Sequence, residues 1–314
     1  MSVRQGLLSD VAAISAIYRS HIGQWHIRNA AGELEAADYE ALTLFERWQH
    51  GGPWLAVETC AVWLGHLLER GEGIPIVAEH AGEVLGYAEV FVGREPEPYG
   101  FHLNISTLAV HQAAGGQGLG RAMVGYIEDM GRALGCQRVT AAYPVPEEFF
   151  AHLGFVPFME RQRVVLAAEE GRVFYKAHDL SNAHPDQRGG WFMPLGRFQN
   201  SREEWERMFW GIWRGVPELV EARWHCLTID LTGQPGILHL HQLDNDPHSA
   251  TARLWTKNRP SSHIVAAIKD RAARLGYTRL QTIVDAPLAE LVNEALHTSP
   301  AQTLYAKPLN SELP

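Results

Sequence analysis

The chain has 314 residues, which at roughly 150 residues per domain predicts two domains. Hydrophobic residues make up 46% and charged residues 20%, enough apolar material for two ordinary cores. Lys and Arg total 27 against 36 Asp and Glu; the resulting formal charge of -9 argues against a nucleic-acid partner, and no apolar run approaches the length of a membrane span.

In chain order, Val3-Arg4-Gln5-Gly6 reads as a short strand. Ser9 is placed to cap a helix carrying Val11, Ile14, Ile17 and Tyr18 on one face. Residues 36–70 read as two helical pieces broken at Gly51-Gly52-Pro53, with Pro53 at a first helical position. Residues 76–80 and 84–92 form a hairpin turning at Ala81-Gly82-Glu83. Residues 101–110 form a strand, and a glycine-rich loop follows at 115–120. Leu119, Met123, Ile127, Met130 and Leu134 then line one helix face that Gly135 ends. A strand at 139–143, a short helix at 147–153 and strand structure within 155–168 complete the first half. The polar, turn-rich stretch 179–190 is the expected linker, separating a domain of residues 1–178 from one of residues 191–314.

The second half repeats the end of the first. Leu134-Gly135-x-x-Arg138 has its counterpart in Leu275-Gly276-x-x-Arg279. Around the latter lie an expected strand (250–256), helix (263–275), strand (279–284), helix (288–296) and strand (303–307). Ser201-x-x-Glu204 reads as a capping box, and Glu203, Glu204 and Glu206 as a solvated first turn. The tryptophans at 205, 210, 213 and 224 suggest a helix packed on a sheet. His239 and His241 share one strand face near Asp244, Asp246 and His248, a pattern that also suits a transition metal; the spacing is common in a chain with 16 His, and no metal is expected. His178 and His184 read as solvated linker residues. Cys60, Cys136 and Cys226 are too scattered for a disulfide framework or a Cys-pair metal motif, so a soluble cytoplasmic protein with reduced thiols is expected.

The stretch most suggestive of chemistry runs from Leu108 to Met123: strand, glycine-rich loop, helix. Loop positions without Cβ let backbone approach a ligand, and amides at a helix start suit a diphosphate. It is not a Walker loop, because no Lys-Ser/Thr follows the glycines, and it lacks the dinucleotide fingerprint.

Residues 76–158 resemble the core of the GCN5-related N-acetyltransferase (GNAT) superfamily. The hairpin Ile76 to Val90 is similar to its second and third strands, and Leu108-Ala109-Val110-His111 to the end of its fourth. Gly116-Gln117-Gly118-Leu119-Gly120 is similar to its pyrophosphate loop, and Phe149-Phe150-Ala151-His152-Leu153-Gly154-Phe155 to its late Phe-Tyr-x-x-x-Gly-Phe segment. The tandem arrangement resembles two-domain members of the mycothiol synthase type. The resemblance implies an α/β fold of two tandem domains, each a twisted mixed sheet flanked by helices. It also implies acetyl-CoA or another acyl-CoA as cosubstrate. Residues Gly115, Gly116, Gln117, Gly118, Leu119, Gly120 and Arg121 would hold the pyrophosphate, and Leu108, Ala109 and Val110 the pantetheine arm. A small-molecule or peptide amine would be the acceptor of an acetyl group by direct attack, on a monomer or homodimer without nucleic-acid or membrane partners.

Three departures stand out. Gly115 occupies the place of the family's usual Arg or Gln. Phe150 stands where many members carry the tyrosine that protonates the leaving thiolate, with Tyr143 as a substitute. No carboxylate lies between Pro98 and Val110, which leaves His102, on one strand face with Asn104, Ser106 and Leu108, as a candidate base; Glu89 is a further residue able to reach the cleft, with a solvated or paired role as its default. The second half has Thr256-Lys257-Asn258-Arg259-Pro260-Ser261 where the loop belongs, so it is expected to bind cofactor poorly or not at all. The alternative function is a GNAT-like binding module that senses an acyl-CoA or a partner without turnover.

Overall fold

In a computed structural model of the chain, the described residues are 1–29, 32–142, 144–180, 191–209, 211–219, 224–231, 233–244 and 246–309. They divide into two compact units, one of residues 1–91, 105–135 and 211–221, the other of residues 92–104, 136–210 and 222–314. Among the described residues, no helix is long and apolar enough to cross a membrane.

The elements lying wholly or largely in the first unit are β1 (Ser2–Gln5), α1 (Val11–Arg19), β2 (Trp25–Arg28), β3 (Leu34–Ala37), α2 (Leu44–Gln49), α3 (Val57–Glu69), β4 (Gly73–His80), β5 (Glu83–Arg94), β6 (Phe101–Val110) and α4 (Leu119–Leu134), the end of β5 and the start of β6 being counted in the second. Its sheet runs β1-β4-β5-β6, while β2 and β3 pair separately. The β4–β5 turn puts both Ala81 (φ 52°) and Gly82 (φ 86°) in the left-handed region, the backbone of a type I′ hairpin. Val11, Ile14 and Ile17 of α1 pack with Cys60 and Leu64 of α3 on Val77 and Tyr87 of the sheet. A second cluster joins Trp63, Leu67 and Phe91 to Ile212 and Trp213. The helix expected to start from Ser9 instead begins after Asp10, whose buried carboxylate accepts from the Leu7 amide at 2.8 Å and from Arg4 at 2.8 and 3.0 Å.

The second unit continues with β7 (Arg138–Ala141), α5 (Glu147–His152), β8 (Val156–Ala167), β9 (Lys176–Asp179), β10 (Phe192–Leu195), α6 (Ser201–Phe209), β11 (Trp224–Leu231), β12 (Gln234–Leu243), β13 (Asp246–Thr256), α7 (His263–Arg274), β14 (Arg279–Asp285) and β15 (His297–Pro308). Its strands run β7-β15-β8-β14-β13-β12-β11-β9. Only β13 and β14 pair in parallel within that order, as expected of strands joined by a helix. Leu238, Leu240, Ala252 and Leu254 of the sheet bury Ile264 and Ile268 of α7.

Two features of this sheet have no counterpart in the sequence pattern. The last strand of each half closes the other half's sheet: β15 lies between β7 and β8, and β8 lies between β15 and β14. Further, β13 and β14 pair only at Ser249–Thr251 with Arg279–Gln281 and then part. One edge of β13 is taken by β12 along its length, and one edge of β14 by β8. Strand β10 therefore occupies the gap: Phe192 and Leu195 pair with Thr256 and Leu254, and the Gly196 amide donates to the Ile283 carbonyl at 2.7 Å.

Several expectations are corrected. Residues 288–296 are not a helix. A run of 3-10 turns, Ala286–Val292, buries Leu288, Leu291 and Val292, after which the Leu296 amide donates to Val165 and the chain is drawn into β15, which begins at His297 rather than 303. Asn200, not Ser201, caps α6, its Oδ1 accepting from the Glu203 amide at 2.7 Å. Glu203, Glu204 and Glu206 are buried, not solvated; Glu203 pairs with Arg207 at 2.9 Å and Glu204 with Arg253 at 3.0 Å. Trp205 packs edge-to-face on Trp255, Trp213 packs on Trp48 and Trp63, and Trp224 is largely exposed. Trp210, His184 and the linker residues 181–190 lie outside the described residues.

Candidate active site

The strand-loop-helix segment forms within the first unit. β6 ends at Val110, and a 3-10 turn spans Gln112–Ala114. Three bonds fix this corner: the His111 amide donates to Leu85 O at 2.8 Å, the Gln112 amide to Ser20 Oγ at 3.0 Å, and the Ala113 amide to His111 Nδ1 at 3.3 Å. The chain then reverses through Gly116 (φ 78°) and Gly118 (φ 82°), where a side chain would strain the backbone. Leu119, Met123, Val124 and Ile127 bury the inner face of α4 and so hold its first turn in place.

The amides of Gly116, Gln117, Gly118, Leu119, Gly120 and Arg121 meet no hydrogen-bond acceptor among the described residues; the Ala122 amide is the first to bond, to Gly118 O at 3.0 Å. A Cβ on Gly116 or Gly118 would meet nothing within 4 Å. Six consecutive donors at the positive end of a sixteen-residue helix, with open space beside Gly116 and Gly118, suit an oxyanion group. Gln117 and Arg121 are exposed beside them, and Gly115 adds no side chain. Thr107, Leu108, Ala109 and Val110 are half-buried along the end of β6.

Two side chains from the α1 end touch this strand. Tyr18 Oη and Thr107 Oγ1 share a hydrogen bond at 2.6 Å, and His21 Nε2 donates to Val110 O at 2.8 Å. The sequence marked Tyr18 only as part of a helix face and did not mark His21, since only the fold brings residue 21 to residue 110. Tyr18 stacks on Trp54 at 4.9 Å. The Trp54 indole donates at 2.6 Å to Oε1 of fully buried Glu89, which also accepts from Trp63 Nε1 at 2.8 Å and Tyr87 Oη at 2.7 Å. Burial and the Glu89 charge push the Cys60 thiol up to about 12 and the Tyr87 phenol well above its usual range. Glu89 is thus a paired core carboxylate.

The other expected site residues belong to the second unit. His102 is fully buried; its Nδ1 donates to Gly100 O at 3.2 Å, and Nε2 lies 3.9 Å from Glu95. Burial lowers its pKa, against the opposing charge of Glu95. Phe150 is buried edge-to-face against Phe149 and Phe155. Tyr143 lies outside the described residues. His239 and His241 stack at 6.2 Å, and burial holds both imidazoles below their usual pKa range; no group of three metal-ligating side chains forms among the described residues.

The corresponding segment of the second unit, between β13 and α7, is built differently. Pro260 has no amide hydrogen, the Ser261 amide donates to Gln234 Oε1 at 3.4 Å, and the Ile264 and Val265 amides are bonded to Ser261 O and Ser262 O. The strand gap beside it is filled by β10.

Residues 29–155 match the Acetyltransferase (GNAT) family. Among solved structures, a GCN5-related N-acetyltransferase from Anabaena variabilis is similar at 9% identity with a TM-score of 0.58, covering 98% of this chain and 73% of the other. One from Kribbella flavida is similar at 12% identity with a TM-score of 0.56, covering 98% and 71%. At such identities these likenesses speak to the fold. No curated protein matches the sequence. Residues 29–155 thus match the GNAT family across the open-amide loop, and the chain has a mixed α/β fold similar to that of these GCN5-related N-acetyltransferases, with the strand-loop-helix-strand order repeated in its second half.

Proposed function

We propose that the protein is an acyl-CoA-dependent N-acyltransferase, an acetyltransferase in its simplest form, that takes one cosubstrate per chain at the first loop. The observation that carries this reading is the run of six amides, residues 116–121, without a protein acceptor. In this reading those amides hold the diphosphate, with Gln117 and Arg121 flanking it, and the backbone of Leu108, Ala109 and Val110 orients the pantetheine arm. Acyl-CoA, when bound, would supply a thioester carbonyl carbon for attack by a primary amine; the new C–N bond replaces the C–S bond, and CoA leaves as a thiolate that takes its proton from solvent. The amine must lose a proton, and we assign that proton to His21. A carbonyl only accepts, so His21 Nε2 carries the hydrogen toward Val110 O and Nδ1 is left as an acceptor. His102, sealed from solvent, serves in this reading to position β6.

Titration calorimetry with acetyl-CoA tests the assignment. One site per chain is expected, lost in Gly118→Trp because the indole fills the diphosphate's space. Absence of binding in the unaltered protein refutes the reading. His21→Gln should keep the affinity while slowing thiol release across a panel of amines. Tight binding by the unaltered protein without release on any amine favours the non-catalytic alternative, which the apolar packing of Phe150 supports.

A further inference from the structure

Positive charge without a partner carboxylate gathers in the first unit, at the end of α1 that meets β6. Tyr18 and His21 bond to Thr107 and Val110 there, whereas Arg19, between them in the chain, sets its guanidinium 4.7 Å from the centre of the Tyr39 ring. Arg47 of α2 sets a second guanidinium 4.1 Å from the same ring. Tyr39 is fixed as their shared platform. Its hydroxyl donates to Leu55 O at 3.2 Å, next in the chain to the Trp54 that stacks on Tyr18, and Trp25 packs on its ring at 5.1 Å.

Like charges on one ring repel, and the attraction of each guanidinium to the ring face offsets part of that. A stacked guanidinium still offers its N–H edge to an oxyanion. Arg47 uses only Nε, which donates to Tyr39 O at 3.2 Å. Its terminal nitrogens and all the N–H groups of Arg19 meet no acceptor among the described residues, and neither side chain forms an ion pair among them. The carboxylates nearest in the chain do not supply one. Glu46 accepts from the Thr43 amide and hydroxyl at 2.8 and 2.9 Å, while Asp38 and Glu40 are exposed and pair with neither arginine. Arg19 is exposed and Arg47 half-buried, so both can be reached from solvent.

We propose that Arg19 and Arg47 bind an oxyanion, a carboxylate or a phosphate monoester, carried by the acceptor, so that the substrate class is amines with an acidic group rather than plain alkylamines. Two guanidinium forks beside one ring match the planar, charge-assisted bonding such a group takes. The anion belongs to the acceptor because Arg19 shares the end of α1 with His21, to which the acceptor's proton is assigned, while the glycine loop is left for the cosubstrate. That role rests on the acyl-transfer reading; the binding of the anion does not.

The test uses the full chain labelled with ¹⁵N in its arginine side chains, with the Arg19 and Arg47 signals assigned through Arg19→Gln and Arg47→Gln. Without cosubstrate it is titrated with δ-aminovalerate against pentylamine, and with O-phosphoethanolamine against ethanolamine. At least one acidic amine should shift both signals saturably and bind at least roughly tenfold more tightly than its neutral counterpart. Which pair shows the preference identifies the anion as carboxylate or phosphate. Arg19→Gln, a surface change that leaves the core intact, should cut that preference to about threefold or less and leave the neutral amines unaffected. With acetyl-CoA present, thiol release should show the same preference in KM. Absence of a shift with both acidic amines, or an undiminished preference in Arg19→Gln, overturns the proposal. If acetyl-CoA fails to bind while the shifts persist, the acceptor role falls with the acyl-transfer reading and the anion site stands; if acetyl-CoA binds and no acidic amine is preferred, only this proposal falls.

Discussion

Glu89 shows how a single residue's role depends on what surrounds it. In the sequence it is one of 36 acidic residues on a strand that has both buried and exposed positions. In the fold it terminates two indole N–H groups and a phenol, all on one oxygen. Removing the carboxylate in Glu89→Ala strands three donors, two of them on residues with 1% exposure or less. The expected cost is about 3 kcal/mol or more, read as a drop in urea midpoint, with Glu89→Gln losing less because its amide oxygen still accepts. Equal losses in the two variants would put the effect in packing rather than in hydrogen bonding. The glutamates of α6 carry the same lesson. Helical spacing marks them as a first turn, but Arg207 and Arg253 decide that they turn inward.

At the scale of elements, β10 is the decisive piece. Four residues, Phe192–Leu195, continue into a glycine at φ 82° that crosses from the β13 edge to the β14 edge. A Cβ on Gly196 would stand 2.6 Å from Ala252 O and 2.8 Å from Arg253 Cα, both of them backbone atoms that cannot swing aside. Gly196→Ala should therefore cost about 3 kcal/mol, combining left-handed strain with the clash. Thermal unfolding measures it, and a cost below about 1 kcal/mol would mean that β10 is not wedged as described. Glycine periodicity shows the first loop in the sequence, but nothing in residues 192–196 announces a strand that fills the gap of another pair.

At the scale of the whole molecule, strand pairings cross the boundary expected between residues 178 and 191, and we propose that the two halves do not fold apart. Since β15 closes β7 and β8, while β8 closes β14, a fragment of residues 1–178 lacks the strand that pairs with β7 and with β8. Unpaired strand edges template association. The fragment should elute as aggregate or remain unfolded, and adding residues 191–314 in trans should recover soluble material. A monomeric, cooperatively folding fragment 1–178 would refute the exchange. Size-exclusion chromatography with urea unfolding distinguishes these outcomes.

The order of elements was largely legible in the sequence because it rests on local physics. Period-two and period-3.6 patterning placed β4, β5, β6, α4, α5, β13, α7 and β14, and Gly135 marked the end of α4 at positive φ. Part of the amide run at 116–121 follows from that local chemistry too, since the first amides of a helix have no intrahelical partner. What closes the sheets, fills the second gap and buries the α6 glutamates was settled by tertiary structure. The sheet closure depends on strand edges that meet across more than a hundred residues, as β8 meets β14 and β15, while β10 and Glu204 also find partners far along the chain, and no local pattern encodes which edge a strand will find.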